Sequence, residues 1–303
     1  MKTIFILGGG GFLASAIEGY YRHLGWRTVA IGRRAAASHS DVRHVWALPH
    51  REFDNLLAAE KPQLCVNAAG SASVANSFVE PLFDFESSAG LSFYVLENLR
   101  RCSPATIYIH LSSAAVYGNP PTLPVREDAE IAPISPYGWH KRMAEMATEE
   151  FARQFGMRTA SLRIFSAYGL GLKRQVIWDL VNRAVTEPGG PLLLHGCPED
   201  SRDFIHGLDV ARSLQIVAEQ GKLVGKCYNV AGGIETPVGE IATLVLRLLG
   251  RSSKFSFSGE RRAGNPSRWH ANIDRLRSLG FSPCVALYDG VRPIVEEVVR
   301  IRG

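Results

Sequence analysis

The chain has 303 residues, of which 46% are hydrophobic and 21% are charged, so a sizeable core is expected and a disordered chain is excluded. No apolar run reaches the roughly 18 residues that a membrane-spanning helix requires, so we expect no membrane partner. The formal net charge of +5 permits an anionic ligand, but neither a zinc-finger spacing nor a basic motif interleaved with aromatic residues indicates nucleic acid.

Cysteine and histidine spacing argues against a disulfide frame or a metal site. The five cysteines contain no Cys-x-x-Cys pair, and the nine histidines show no His-Glu-x-x-His spacing. This usage suits a reducing compartment. The opening segment MKTIFIL runs into four glycines without a small-residue cleavage site, so we interpret it as a buried strand of a cytoplasmic protein rather than a signal peptide.

Short apolar runs alternate with helical stretches through the first half of the chain. The candidate strands are Thr3–Leu7, Thr28–Ile31, Arg43–Trp46, Gln63–Asn67, Thr106–Leu111 and Thr159–Ile164. The candidate helices between them are Phe12–Leu24, Phe53–Glu60, Leu82–Arg101 and Tyr137–Phe155. This alternation predicts an α/β fold with a Rossmann-type doubly wound parallel sheet, covered by helices on both faces.

The rhythm changes after Gly169, where glycines, prolines and shorter elements dominate. Further helices are predicted at Val176–Thr186, Leu208–Gln220, Val238–Leu249 and Asp289–Arg300. We therefore divide the chain into a dinucleotide-binding domain, residues 1–167, and a smaller C-terminal α/β substrate-binding lobe, residues 168–303. The segment of about 207–230 is expected to return to the first domain.

A glycine-rich turn follows the first strand and opens the first helix. Gly8 permits the tight turn, and Gly11 lets the backbone approach a pyrophosphate at the helix N-terminus, where amide dipoles favour anions. Ala14 takes the place of a third glycine and is small enough for close helix–sheet packing. The residues expected to bind a dinucleotide cofactor here and after the fourth strand are Gly8, Gly10, Gly11, Phe12, Leu13, Ala68, Ala69 and Gly70.

Two further segments carry acid–base chemistry. HLSSAAVYG places Ser112 and Ser113 just past the fifth strand, and SPYGWHK places Tyr137 and Lys141 four residues apart on one helix face. An ammonium about 4 Å from a phenol contributes about 4 kcal/mol at an effective dielectric near 20, which predicts a phenol pKa lower by about three units. A single Tyr-x-x-x-Lys is common on ordinary helices. Its combination with the glycine turn and Ser113 favours a catalytic site.

The glycine turn, SSAAVYG and YGWHK, in this order and spacing, resemble the extended short-chain dehydrogenase/reductase family, which includes nucleotide-sugar epimerases, dehydratases and ketoreductases. LRIFSAYG (162–169), DSRDFIHGLDVA (200–211) and YNVAGG (228–233) match later family blocks, as does RRAGNPSRWHANIDRLRSLGF (261–281), so the likeness covers nearly the whole chain. It implies that Ser113, Tyr137 and Lys141 are catalytic and that Tyr137 and Lys141 also contact the nicotinamide ribose.

The resemblance also implies a nucleotide-diphosphate sugar as substrate, with Arg202 and Arg262 on its diphosphate. Ser166 stands where the family has an asparagine, and Ser71 and Ser73 are expected to line the sugar pocket. A homodimer is implied, paired through the helices predicted over residues 82–101 and 137–155.

Ala114 and Ala115 stand where the family's 4,6-dehydratases carry an Asp-Glu pair, and their methyl groups cannot exchange protons. The end of the second strand reads VAIGRR, with Gly32 where enzymes of the family that retain NAD usually place an aspartate. Arg33 and Arg34 would neutralise the 2′-phosphate of NADP(H), so NADP(H) is favoured and NAD(H) remains possible. A solvated basic loop is the alternative interpretation.

Because cells keep NADPH largely reduced, the arginines favour NADPH-dependent reduction of a nucleotide-linked 4-keto-6-deoxy sugar. The nearest alternative is a nucleotide-sugar 4-epimerase that uses the same residues. A more distant one is a non-catalytic relative that senses NADP or binds nucleic acid.

Overall fold

A computed structural model describes residues 1–33, 40–187, 191–252, 254–260, 264 and 266–302 of the chain. The predicted site residues Arg34 and Arg262 lie outside these residues. Among the described residues, no helix combines the length and the apolar character that crossing a bilayer requires.

The strands begin and end close to the predicted positions in the first half of the chain. They are β1 (Thr3–Leu7), β2 (Arg27–Gly32), β3 (Val42–Val45), β4 (Leu64–Asn67), β5 (Ile107–Ser113), β6 (Thr159–Ile164), β7 (Ser166–Tyr168), β8 (Leu192–Leu194), β9 (Ser201–His206), β10 (Val224–Val230), β11 (Glu235–Pro237) and β12 (Phe255–Phe257). Ser112 and Ser113 are the last two residues of β5 rather than the first beyond it, because β5 pairs with β6 as far as Ser113 and Ile164.

The helices are α1 (Phe12–His23), α2 (Phe53–Glu60), α3 (Val74–Val79), α4 (Pro81–Phe85), α5 (Leu91–Cys102), α6 (Pro136–Phe155), α7 (Gln175–Thr186), α8 (Gly207–Gln220), α9 (Val238–Leu248), α10 (Asp274–Arg277) and α11 (Leu287–Arg302). The helical segment predicted over residues 82–101 is confirmed, but a π-helical turn at Glu86–Gly90 lies between its two α-helical parts, α4 and α5. Such turns insert an extra residue into a helix and are frequent at functional sites.

Seven of the described strands form one parallel sheet in the order β10-β6-β5-β4-β1-β2-β3. Helices α1 and α8 cover one face, and α2, α5 and α6 cover the other, each over a buried apolar cluster. The predicted α/β fold with a doubly wound parallel sheet is therefore confirmed. The strand order reverses between β1 and β4, and open α/β sheets bind ligands at the carboxyl ends of the strands beside such a point.

The second half of the chain contributes both to this sheet and to a smaller lobe. Strand β10 extends the large sheet by pairing with β6, and α8 packs beside α1 in the same apolar cluster. In the lobe, β11, β9 and β7 form one sheet and β12 pairs with β8. Helices α7, α9 and α11 enclose a separate apolar core there.

Candidate active site

The glycine turn between β1 and α1 is held by the ends of two neighbouring strands. The backbone N–H of Gly8 donates to the carbonyl of Ile31 at 2.8 Å, and Gly8 and Gly10 adopt left-handed φ values of 88° and 85°. A Cβ on Gly8 would lie 2.7 Å from the carbonyl oxygen of Ala68. Only glycine fits this approach between the turn and the segment after β4.

The N-terminus of α1 fits a phosphate group. Gly11 is its N-cap residue, and within the described part of the chain no side chain caps it. Phe12 and Leu13 form the first helical turn, whose backbone N–H groups have no partner inside the helix. With the helix dipole, these donors suit an anion. The chain therefore carries the backbone features that a dinucleotide pyrophosphate requires.

The end of β2 leaves no room for a side chain at position 32. A Cβ on Gly32 would lie 2.4 Å from the carbonyl oxygen of Gly9, which is a backbone atom and cannot swing away. The position expected to carry an acid in NAD-retaining relatives is thus sterically reserved for glycine here. Arg33 is exposed and lies over the ring of Phe83, with its guanidinium carbon 5.4 Å from the ring centroid.

The two serines at the end of β5 have different partners. Ser112 is buried and donates its hydroxyl to Glu145 Oε1 of α6 at 2.7 Å. Ser113 is half-buried, accepts from the backbone N–H of Ala115 at 3.2 Å, and hydrogen-bonds the Tyr137 side chain. Because a strand alternates its side chains between the two faces of the sheet, only one of the two can reach the cleft. The structure places Ser113 beside Tyr137.

Tyr137 and Lys141 lie in the first two turns of α6, and Lys141 is near the segment that follows β4. Ser135 caps this helix by accepting from the backbone N–H of Gly138 at 3.2 Å. Lys141 is 5% exposed and donates to the carbonyl of Leu111 at 2.9 Å, and its Nζ lies 5.8 Å from the centroid of the Tyr137 ring. A Cβ on Gly70 would lie 3.8 Å from Lys141 Nζ. Gly70, a predicted cofactor-binding residue, therefore lies beside the predicted catalytic residue Lys141.

The predicted direction of the Tyr137 pKa is wrong for this structure. Burial of the phenol raises its pKa above the ordinary value, and this effect exceeds the lowering by the Ser113 hydrogen bond and the Arg174 charge; the Asp84 carboxylate raises it further. Burial also lowers the pKa of Lys141 to about 8, against the opposing charges of Asp84 and Glu145. The sequence shows that the phenol and the ammonium are neighbours but does not show how far both are desolvated.

The predicted sugar-pocket residues have unequal surroundings. Ser73 is the N-cap of α3 and accepts from the backbone N–H of Asn76 at 3.2 Å, so its hydroxyl already has a structural partner. Ser71 is half-buried in the loop after β4, together with Ala68 and Ala69. Ser166 begins β7 and is also half-buried.

Arg202 of β9 lies in the second lobe, where its guanidinium is partly fixed by the backbone. Its Nη1 donates to the carbonyls of Ser201 at 2.7 Å and Ser267 at 3.1 Å. The guanidinium also lies over the ring of Trp269, 5.7 Å from its centroid. A guanidinium carries five N–H donors in a planar fork.

A buried polar network supports the strands behind Ser113. Arg163 of β6 donates from Nε and Nη2 to the two oxygens of Glu145, each at 2.9 Å, and from Nη1 to the hydroxyl of Tyr117 at 2.8 Å. The Tyr117 hydroxyl donates to Oδ1 of Asn229 in β10 at 2.7 Å. This network joins β5, α6, β6 and β10 with paired buried charges.

Sequence reasoning missed a buried pair beside Tyr137 and Lys141. Asp84 of α4 is 1% exposed, and its Oδ2 lies 2.6 Å from Nδ1 of His140. His140 appears in the motif YGWHK, which gives the single hint available from the sequence. The contact joins residues 56 positions apart, so no local pattern reveals it.

Comparison with known proteins gives consistent results. The model of the NAD dependent epimerase/dehydratase family matches residues 4–231. A putative UDP-glucose 4-epimerase of Methanocaldococcus jannaschii is 26% identical over 96% of this chain and 97% of its own length. The UDP-glucose 4-epimerase of Azospirillum brasilense is 27% identical over 95% of this chain and 89% of its own length.

Solved structures share the fold over almost the full length. The UDP-glucose 4-epimerase of Thermotoga maritima with UDP-glucose has a TM-score of 0.89 at 24% identity and covers 99% of each chain. The UDP-glucuronic acid 4-epimerase of Bacillus cereus with UDP-glucuronic acid and NAD has a TM-score of 0.88 at 20% identity and also covers 99% of each chain. At these identities the two structures show a common fold.

Proposed function

Because the chain belongs to the NAD dependent epimerase/dehydratase family, we propose that it is a nucleotide-sugar 4-epimerase using NAD. The observation that carries the proposal is the meeting of Ser113, Tyr137 and Lys141 beside Gly70 after β4, with only methyl groups at Ala114 and Ala115. This set serves hydride transfer at a sugar carbon and lacks the acid and base that elimination of water needs. The relatives named as UDP-glucose 4-epimerases favour epimerisation over net reduction.

The proposed roles follow from the hydrogen bonds. Tyr137 takes the proton of the sugar hydroxyl as that carbon is oxidised and returns it when the carbonyl is reduced. Ser113 hydrogen-bonds the same oxygen and stabilises the charge that develops on it. Lys141 stabilises the Tyr137 phenolate and binds the nicotinamide ribose. The nicotinamide, when bound, supplies the hydride acceptor and donor, so no cofactor is consumed over a cycle.

The glycine turn would hold the pyrophosphate of the cofactor, together with the backbone N–H groups of Phe12 and Leu13. Arg202 is proposed to bind the diphosphate of the sugar nucleotide, for which its planar fork is suited. Ser71 and Ser166 are proposed as contacts to the sugar, since both are half-buried near the ends of β4 and β6. We assign Arg262 the same diphosphate role from sequence alone.

The decisive experiment starts from both epimers. The purified protein is incubated separately with UDP-glucose and UDP-galactose, and the sugar protons are followed by NMR while cofactor absorbance is recorded. A 4-epimerase converts either starting material to the same equilibrium mixture of UDP-glucose and UDP-galactose, without net consumption of the cofactor. If neither sugar nucleotide changes and a nucleotide-linked 4-keto sugar consumes NADPH instead, the epimerase proposal is wrong.

Reduction by NADPH is the second candidate, and one observation favours it. Position 32 cannot accept an acidic side chain beside the Gly9 carbonyl, and Arg33 follows it at the exposed end of β2. An arginine there attracts a 2′-phosphate, which an aspartate would repel. Binding of NADPH at least ten times tighter than NADH would favour the reductase; equal binding would remove its support.

We also propose that two copies of the chain pair through α5 and α6. Trp139, Met143 and Met146 recur at helical spacing on α6, and Phe93 lies on α5; these side chains are between 42% and 54% exposed. Apolar patches of this kind mark protein–protein interfaces. Met146→Glu is expected to convert a dimer to a monomer by light scattering, whereas Glu150→Lys, an exposed charge change on the same helix, leaves it dimeric. A monomeric parent protein would contradict the pairing.

A further inference from the structure

Arg202, the proposed ligand of the substrate diphosphate, lies against the ring of Trp269. Its guanidinium carbon is 5.7 Å from the ring centroid, which is within the range of a cation–π contact. The backbone carbonyls of Ser201 and Ser267 accept from Nη1 of the same guanidinium at 2.7 and 3.1 Å. These contacts come from the start of β9 and from the segment of residues 267–269.

The backbone of Trp269 is fixed to the strand that carries Arg202. Its N–H donates to the carbonyl of Ser201, the first residue of β9, at 3.2 Å. The preceding residue, Arg268, donates from Nε and Nη2 to the two oxygens of Glu235 at 2.7 and 2.8 Å. Glu235 begins β11, which pairs with β9. The ring and the guanidinium therefore start from backbone positions that are fixed relative to each other.

The Trp269 ring packs on an apolar cluster that begins directly after Ser113. Ala114 and Tyr117, in the turn after Ser113, belong to this cluster together with Phe165. The rings of Phe165 and Trp269 meet edge to face, with their centroids 5.9 Å apart. Trp269 therefore connects the proposed diphosphate ligand to the segment that carries the proposed catalytic serine.

No hydrogen bond of the indole fixes the ring within the described residues. Nε1 is buried and has no partner there, although a buried tryptophan usually donates its N–H. Packing against Phe165 and the contact with Arg202 thus place the ring, and both contacts use the aromatic ring rather than the N–H. A phenylalanine ring at position 269 would keep both kinds of contact.

We propose that Trp269 is a positioning residue that holds the Arg202 guanidinium in the orientation that binds the diphosphate of the substrate. The inference rests on the diphosphate role proposed for Arg202. An arginine side chain has several rotatable bonds, and ordering such a side chain on binding weakens the affinity. An arginine that is already held against a fixed ring loses less freedom when the diphosphate binds. Trp269 thus contributes to affinity without touching the ligand.

The test measures the binding of UDP to the full chain by calorimetric titration and needs no turnover. Trp269→Leu is expected to weaken UDP binding by about tenfold, which corresponds to the loss of one partly desolvated cation–π contact. Trp269→Phe lacks the N–H but keeps an aromatic face, so it should retain the parent affinity. Trp26→Leu is the matched control: it removes a partly buried indole with Lys2 Nζ 5.2 Å from its centroid, far along the chain from β9, and should not change UDP binding.

A double-mutant cycle shows whether Trp269 acts through Arg202. In the Arg202→Ala protein, adding Trp269→Leu should cost no further affinity, because the ring then has no guanidinium to hold. Losses that add up overturn the proposal, and so does a loss in Trp269→Phe as large as that in Trp269→Leu.

The remaining outcomes separate this inference from the proposed activity. Parent affinity in Trp269→Leu overturns the inference, and if thermal unfolding shows that this variant is not folded, parent affinity in Trp269→Met does so. A parent protein that binds no UDP also overturns it. Weaker UDP binding in Trp269→Leu, in a protein that does not interconvert UDP-glucose and UDP-galactose, supports the inference and rejects the epimerase alone.

Discussion

The two ends of the proposed cofactor cleft are held in place by different kinds of contact. At the α6 end, Ser113, Tyr137 and Lys141 are half-buried or buried and hydrogen-bonded. At the β2 end, the residues proposed to recognise the cofactor are the tightly packed Gly32 and the exposed Arg33. Burial makes electrostatic effects large, and exposure makes them small and dependent on salt. The first end is therefore suited to chemistry and the second to selecting between similar cofactors.

The largest expected effect is at the α6 end. Tyr137→Phe removes the group that carries the proton, so turnover should fall by about 10²–10⁴-fold, the range for general acid–base catalysis. Epimerisation kinetics measure this, and thermal unfolding shows whether the fold is kept. Tyr288→Phe, at an exposed tyrosine of α11, should retain full turnover. Full turnover in Tyr137→Phe would show that the proton takes another path.

A steric change at the β2 end should cost stability. In Gly32→Ala the new Cβ meets the Gly9 carbonyl, which can move only with the whole turn, so we expect a loss of about 1–3 kcal/mol in the free energy of unfolding. Gly19→Ala on α1 is the matched control, since a Cβ there meets no atom within 4 Å. That variant should gain about 0.5–1 kcal/mol. Equal stability of the two variants in urea unfolding would contradict the packing described for β2.

A smaller effect is expected at Arg33, because it is exposed. Arg33→Ala should weaken NADP(H) binding by about tenfold, corresponding to one charge-assisted hydrogen bond of about 1.5 kcal/mol. NAD(H) binding should not change, as it has no 2′-phosphate. Arg51→Ala, at an exposed arginine after β3, controls for net charge. Binding of both cofactors is measured by calorimetric titration. If Arg33→Ala weakens NAD(H) binding as much as NADP(H) binding, Arg33 does not recognise the 2′-phosphate.

The smallest expected effect concerns the charge of Arg174. This guanidinium lowers the pKa of Tyr137 by favouring the phenolate. Arg174→Ala therefore raises that pKa, and the acid limb of kcat against pH should move to higher pH by less than about one unit, since Arg174 is exposed. Lys173→Ala, its exposed neighbour, should leave the limb in place. A movement to lower pH would have the wrong sign for this mechanism.

Much of the fold was predictable because its signals are local. Strand β1, helix α2 and strand β6 have the predicted bounds, since each is an apolar run or periodic segment closed by turn residues. Helix α3 was missed: its six residues are capped by Ser73, which the sequence offered equally well as a sugar contact. The π-helical turn at Glu86–Gly90 has no sequence signature of its own.

The candidate site divides in the same way. Ser113, Tyr137 and Lys141 could be chosen from spacing, and the structure brings them together. The Asp84–His140 contact and the direction of the Tyr137 pKa shift could not be predicted, because both depend on burial between elements that are distant in sequence. The preference for NADP(H) over NAD was predicted partly from Arg34, which lies outside the described residues, so it stays a prediction.

The position of Asn229 late in the chain, in β10, affects how the nascent chain can fold on the ribosome. Ser113, Tyr137 and Lys141 all emerge from the ribosome long before residue 229, yet Asn229 accepts the hydrogen bond of Tyr117 at 2.7 Å and β10 completes the pairing of β6. Until about 230 residues are exposed, the edge of β6 is unpaired and the Tyr117 hydroxyl lacks its acceptor on Asn229. Such edges are where unfinished chains associate wrongly. The β6 edge is thus among the last parts of the seven-stranded sheet to be paired.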